Sequence, residues 1–421
     1  MGRYASLIIL ALFISVLFLR IHTQGTVLDS VGNSVEKFDV AWARNIANSG
    51  ATIALNGLTL NVEETEAVQN RSLYGGEFSY YYQRREEDPT LGPTEIRVTC
   101  TSRFHDSRDT VVVLLTRPSF SRYAYFTNYE GNIWFNSGDT LRGPVHTNTY
   151  FQMAGTPVFF DKVTSHQLYQ SGQPYRIYPY GYTNPNFLGG TEWGVPYLSM
   201  PSSMPQELID AAKDSGLYLP NRYVWMKFQS DGTALICGKN TYSTPDSWEY
   251  SSYNISNTNG VIFNDYPYET PYLFVEGTAR GNYTVASEGR IVISDDILLA
   301  DDPRYNPNST DMVGLAATKD IIVYNNQYNT DRTILATCMA MNPYASTTSN
   351  FYVHNYDDYK YGTLHLFGGL IQRNRGAVGL VGDESTRKGY LKDYRWDSRL
   401  REMTPPYFPM LFVLKKIAWW D

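Results

Sequence analysis

His146 is the most reactive-looking side chain in the stretch "GDTLRGPVHTNTYFQMAGTPVFFDKV" (138–163), where Asp139 and Arg142 are its charged neighbours in sequence. A histidine acting as general base needs a carboxylate or a nucleophile in reach, and a metal site needs two or three further ligands. The other histidines (His22, His105, His166, His354 and His365) form neither HxH nor HExxH spacing with it. The surrounding residues suggest a structural role instead. Gly143 before Pro144 and Asn148 after the histidine are the residue types that turn a chain, so Gly143, His146 and Asn148 read as corner residues of a repetitive β scaffold.

The aspartate pairs Asp295-Asp296, Asp301-Asp302 and Asp357-Asp358 raise the question of carbohydrate chemistry, in which two carboxylates converge on a cleft. Adjacent residues of a strand point to opposite faces, so Asp295 and Asp296 are not expected to converge. "DDPRYNPNSTD" could offer oxygens to an incidental Ca2+ but lacks the spacing of an EF-hand loop. Tyrosine clusters such as "FSYYYQ" and "YRIYPYGYTNPN" could stack on sugars, but they serve equally to cover a β surface. No catalytic, cofactor-binding or metal-binding residue is expected.

Composition points the same way. Charged residues make up 18% and aromatics 15%, with 35 Tyr among them, which suits a β-rich surface that meets water through hydroxyls. A net charge of −7 and the lack of a basic run exclude nucleic acid as an expected partner. Cys100, Cys237 and Cys338 are too few for a disulfide framework, although one pair could close in an oxidising compartment.

The elements that would hold these residues begin with "MGRYASLIILALFISVLFLRIHTQG", uncharged from Tyr4 to Leu19. It reads as a retained membrane helix more readily than as a cleaved signal, because no small-x-small site follows. Leu28, Val31, Val35, Phe38, Trp42 and Ile46 then recur at helical steps on one face, a stem that could meet a partner. Gly25 and Gly32 form a weak point, Asn33 and Glu36 suggest a restart, and Gly57 suggests a stop. Period-two patterning follows in 77–85, 95–104 and 110–118.

The expected fold is mainly β, built from six pieces. They are a transmembrane and stem helix (1–57), a small antiparallel sheet (58–125), the first part of a right-handed β-helix-like solenoid (126–170), an inserted α/β segment (171–260), the main solenoid (261–400) and a docking tail (401–421). A β-sandwich is the alternative for the body.

Three features together resemble pilin-like and pseudopilin-like envelope proteins of the PilX type. "GRYASLIILALFISVLFL" with the small-residue stem "ARNIANSGATIALNGL" resembles their leader and stem. The stretches at 138–165 and 275–325, and "GTLHLFGGLIQRNRGAVG" near the end, are similar to an uncharacterised bacterial β-rich domain that follows such stems. The resemblance implies a single-pass protein anchored in the inner membrane, with a periplasmic or extracellular body, or one held at the cell surface. Its implied partners are membrane lipid, other pilin-like or secretion-system subunits, and a glycan or other surface ligand. Pilins of the main filament carry Glu five residues after the processing glycine. Counted from Gly2 that position is Leu7, so the resemblance implies a minor or accessory subunit, or an adhesin. A carbohydrate-binding or carbohydrate-active β-helix protein is the alternative function.

Overall fold

The computed structural model describes residues 2–62, 64–85, 87–92, 94–179, 181–325, 329–342, 351–380 and 388–420. It is mainly β with one long N-terminal helix, and it divides into two compact units: residues 1–118 with 413–421, and residues 119–412.

In the first unit, helix α1 runs unbroken from Gly2 to Leu60. At 1.5 Å per residue its 59 residues make a rod of about 88 Å. The expected weak point at Gly25 and Gly32 is not a break. A lone glycine costs only about 1 kcal/mol against alanine, and nothing lies within 4 Å of either glycine's missing Cβ to force a bend. The helix ends three residues beyond Gly57, whose carbonyl accepts the Asn61 N–H at 2.9 Å.

Four strands, β1 (Val68–Leu73), β2 (Gly76–Gln83), β3 (Glu95–Phe104) and β4 (Ser107–Thr116), join the C-terminal strand Lys415–Trp420 in one antiparallel sheet, in that order. β1 escaped the sequence patterning because "VQNRSL" has no apolar alternation. It is fixed by the turn that follows: Tyr74 and Gly75 both have positive φ, the geometry of a two-residue hairpin loop. The outermost strand on the other side comes from the expected docking tail.

The sheet closes on α1 because the helix is lined with small residues there. Ala43, Ala47, Ala51, Ala54 and Leu58 are buried at three- and four-residue steps, with Ile46 beside them, against Phe78, Tyr80, Val98, Cys100 and Val113. Gly50 sits in the middle of this face. A Cβ there would lie 2.6 Å from Phe78 and 2.7 Å from the Cys100 Sγ, so only glycine permits this approach.

The second unit holds a ten-stranded and a fourteen-stranded sheet that contribute to one apolar core. In the ten-stranded sheet every neighbouring pair is parallel. Its strand order is not the chain order. Tyr125–Tyr129, the first strand in sequence, lies in the middle against Leu370–Asn374, the last. From there the chain steps outward through Val145–Thr147 and Val163–Ser165 to Thr191–Trp193 at one end. It re-enters at the other end with Leu217–Leu219 and steps back toward the middle.

Residues 171–260, expected as an insert, supply strands at both ends of these ladders. Tyr223–Phe228 pairs in parallel with Tyr272–Ala279 in the larger sheet, and its hairpin partner Thr233–Lys239 continues the sheet in antiparallel fashion. The short helix Gln206–Asp214 buries Leu208, Ala211 and Ala212, the face that its sequence periodicity indicates.

Candidate functional site

The stem residues divide sharply in their surroundings. Leu28, Val31, Val35 and Phe38 are exposed by 54–71%, whereas Ile46 is fully buried under the chain's own sheet. Trp42 lies at the border. Its indole N–H donates to the Tyr74 carbonyl at 3.1 Å, and its ring stacks on Phe38 at 5.5 Å and tilts against Phe104 at 6.2 Å. The exposed part of this face therefore stops at Phe38, and Ile46 belongs to the core.

The steps from Leu28 through Val31, Val35 and Phe38 to Trp42 alternate three and four residues, the 3.5-residue period of a seam that packs against another helix. Nearer the N-terminus the pattern changes. From Leu7 to Ile21 the apolar side chains are exposed all round the rod, and an 18-residue window is long and apolar enough to cross a membrane. Hydroxyls in and just beyond this stretch are satisfied by the helix itself: Ser15 donates to the Ala11 carbonyl and Thr23 to that of Leu19, both at 2.8 Å. Polar groups paired in this way tolerate a medium without water.

In the second unit, Gly143, His146 and Asn148 lie at and just beyond the corner between Thr140–Arg142 of the larger sheet and Val145–Thr147 of the ten-stranded one. Gly143 has φ +117°, and a Cβ there would meet Trp396 at 2.4 Å and Ala124 at 2.7 Å. His146 and Asn148 are both 1% exposed. The Asn148 amide grips one residue of a crossing segment from both sides: Oδ1 accepts the Leu198 N–H at 3.0 Å, and Nδ2 donates to the Leu198 carbonyl at 2.7 Å. It reaches a neighbouring asparagine too, with Nδ2 3.1 Å from Asn128 Oδ1.

That orientation fixes His146. Its Nε2, 3.1 Å from Asn148 Oδ1, must carry the hydrogen, leaving Nδ1 to accept from Thr164 Oγ1 at 2.8 Å. Burial against Phe126 and Tyr123 pushes the imidazole pKa down from 6.5 to about 4, with the Asn148 hydrogen bond opposing the shift. The ring is a neutral brace for the asparagine: among the described residues its hydrogen-bond partners are Asn148 and the Thr164 hydroxyl, with no carboxylate beside them.

The crossing segment, residues 194–216, joins the two ends of the ten-stranded sheet. Met200, Met204 and Leu208 pack with Phe126, Phe263, Ala286, Ala316, Met339 and Ile371, which share one cross-strand row of that sheet. Arg373 holds the segment's path by donating to the Met200 and Pro201 carbonyls at 3.2 and 2.6 Å.

Comparison with known proteins gives two findings. A family model described as "Domain of unknown function (DUF4900)" matches residues 95–167, from β3 through Val163–Ser165, including Gly143, His146 and Asn148. A solved structure of the competence-associated pilin ComZ from Thermus thermophilus is similar at a TM-score of 0.33 and 10% identity, covering 90% of this chain and 97% of that one. A score of this size does not establish a shared fold. No curated protein matches the sequence.

The remaining sequence candidates are dispersed. Asp295 and Asp296 both engage the Arg332 guanidinium, and Asp296 also accepts the Thr333 N–H at 2.8 Å. Asp302 is tied to Arg304 and Asp301 to Asn306. Among the described residues no group of three or more His, Cys, Asp or Glu side chains is placed to hold a metal ion. The three cysteines are free and buried, and burial alone pushes the Cys100 thiol up to about 12.

One feature had no sequence signal. Arg375 and Glu130, 245 positions apart, pair at 2.9 Å with side chains 4% and 2% exposed. They lie just past the ends of the paired strands Leu370–Asn374 and Tyr125–Tyr129, where the last and first strands meet. Tyr125 and Thr127 also donate to the Glu130 carboxylate, and Arg375 stacks 3.8 Å over the Phe135 ring.

Proposed function

We propose that the protein is a membrane-anchored, pilin-like structural subunit of the cell envelope. It enters a type IV pilus-like or type II secretion-like assembly as a minor or accessory component and presents its β body beyond the membrane. The observation that carries this reading is the division of α1. One half is bare and apolar, first all round and then along a 3.5-residue seam, while the other half is locked to a sheet through small residues. A rod built this way has one end for lipid and one stretch for neighbouring helices. Leu7, where filament pilins have Glu, favours a minor subunit over a bulk one. The dispersed, ion-paired aspartates favour a structural role over a catalytic one.

The body is best understood as a coiled β stack. The support is the pairwise parallel ladders, the core shared by two sheets, and the alternation of the chain between them. In this reading the stack grows in two directions from the Tyr125–Tyr129 coil, and residues 194–216 bridge its ends.

Val35→Asp places a charge in the middle of the seam. Chemical cross-linking in the native cell should join the wild-type chain to other pilin-like subunits and should lose those products in the variant, with the melting of the body unchanged. Cross-links that survive Val35→Asp would count against the seam as the assembly surface.

A further inference from the structure

The outer face of the five-stranded sheet, turned away from α1, carries three cross-strand rows of different chemistry. Glu77, Arg103 and Arg108 stand side by side, then Ser79, Thr101 and Thr110, then Tyr81, Thr99, Val112 and Trp420. Cationic, hydroxyl and aromatic groups thus follow one another along the strands. Tyr81 and Trp420 are 42% and 53% exposed, and three strand spacings of about 4.8 Å separate their backbones by about 14 Å. The first two rows line a concavity of about 460 Å³, with Asn70 at its edge.

The charges on this face are not balanced by the protein. Arg103 and Arg108 are directly opposed across β3 and β4, a like-charge placement that destabilises a sheet. Glu77 lies beside Arg103 only, and the other acidic residue of the concavity, Asp109, is held by Arg44 at 3.1 Å. Arg103 gives its Nε–H to the His105 carbonyl at 3.1 Å. Among the described residues Arg108 makes no ion pair or side-chain hydrogen bond. Breaking a local rule without compensation in the fold marks a place built for something else.

We propose that this face binds an acidic glycan, a polysaccharide bearing uronate carboxylates. The Arg108 and Arg103 guanidiniums receive a carboxylate, with the planar, charge-assisted geometry such pairs favour. Ser79, Thr101 and Thr110 exchange hydrogen bonds with sugar hydroxyls, and Tyr81 or Trp420 stacks on a sugar ring. Duplex DNA fits less well, because it calls for a broad basic field, whereas this chain carries a net charge of −7 and the face offers two cations.

The test uses the full-length protein in detergent, titrated by calorimetry with oligogalacturonate, with neutral dextran of the same length and with duplex DNA of the same charge. Oligogalacturonate should bind, dextran at least tenfold more weakly. Arg108→Ala should weaken oligogalacturonate binding tenfold or more, the scale of one lost charge-assisted hydrogen bond. Arg108→Glu should abolish it and Tyr81→Ala should weaken it severalfold. Removing one of two opposed cations should leave the melting temperature of the Arg108→Ala variant equal or higher, separating loss of binding from loss of fold. The proposal is overturned if the wild type does not bind oligogalacturonate, if the arginine variants bind it unchanged, if dextran binds equally well, or if DNA binds more tightly through the same arginines.

Discussion

His146 has a measurable consequence even without chemistry to do. The unfolded chain takes up a proton at this ring near pH 6.5, whereas the folded ring, buried between aromatics, refuses it until about pH 4. Its contribution to stability is complete above pH 6.5 and is lost as pH falls from there toward 4. The loss amounts to about 3 kcal/mol at the bottom of that window. Denaturant titrations of wild type and His146→Gln across pH 7 to 4 should show this slope in the wild type and a flatter one in the variant; equal slopes would assign the pH dependence elsewhere. The Arg375–Glu130 pair behaves differently, because removing one member strands a buried charge. Arg375→Met should cost about 3–5 kcal/mol by chemical denaturation, and adding Glu130→Gln should recover part of it. A single variant as stable as wild type would show that water reaches Glu130.

At the scale of elements, α1 depends on where its glycines fall. Gly50→Ala drives a methyl group into Phe78 and Cys100, which should cost about 1–3 kcal/mol and speed hydrogen exchange along β2 and β3. Gly32→Ala, with open space around it, should leave that exchange unchanged; similar behaviour of the two variants would mean that the helix–sheet contact is not tight at Gly50. The same element shows what sequence could and could not disclose. Helical periodicity marked the stem face and the small-residue stretch, because both follow from a local 3.6-residue repeat. It could not separate Phe38, left bare, from Ile46, buried, since that boundary is set by where strands far along the chain come to rest. β1 and the C-terminal strand escaped for a related reason: edge strands need little apolar alternation, and their positions are fixed by a turn at Tyr74-Gly75 and by pairing with β4.

At the scale of the whole molecule, short strands with Gly, Asn and Asp at their bends were legible as a β body, while their order was not. Nothing local shows that Tyr125–Tyr129 pairs with Leu370–Asn374, or that residues 194–216 travel from one end of a sheet to the other. Such pairings depend on contacts across hundreds of residues, and the ion pair that marks the junction looks like two unrelated charges in sequence. Gly143 and Asn148 were legible as corner residues by type, but the Asn148 grip on Leu198 required the crossing segment to be seen.

The central claim is that the bare half of α1 holds the body to a membrane. Alkaline carbonate extraction of native membranes, with N-terminal sequencing of the extracted chain, tests it most directly. The chain should stay in the pellet, yield only to detergent, and retain Leu7 to Ile21. A chain released by carbonate, or one whose native N-terminus begins beyond Ile21, would contradict it.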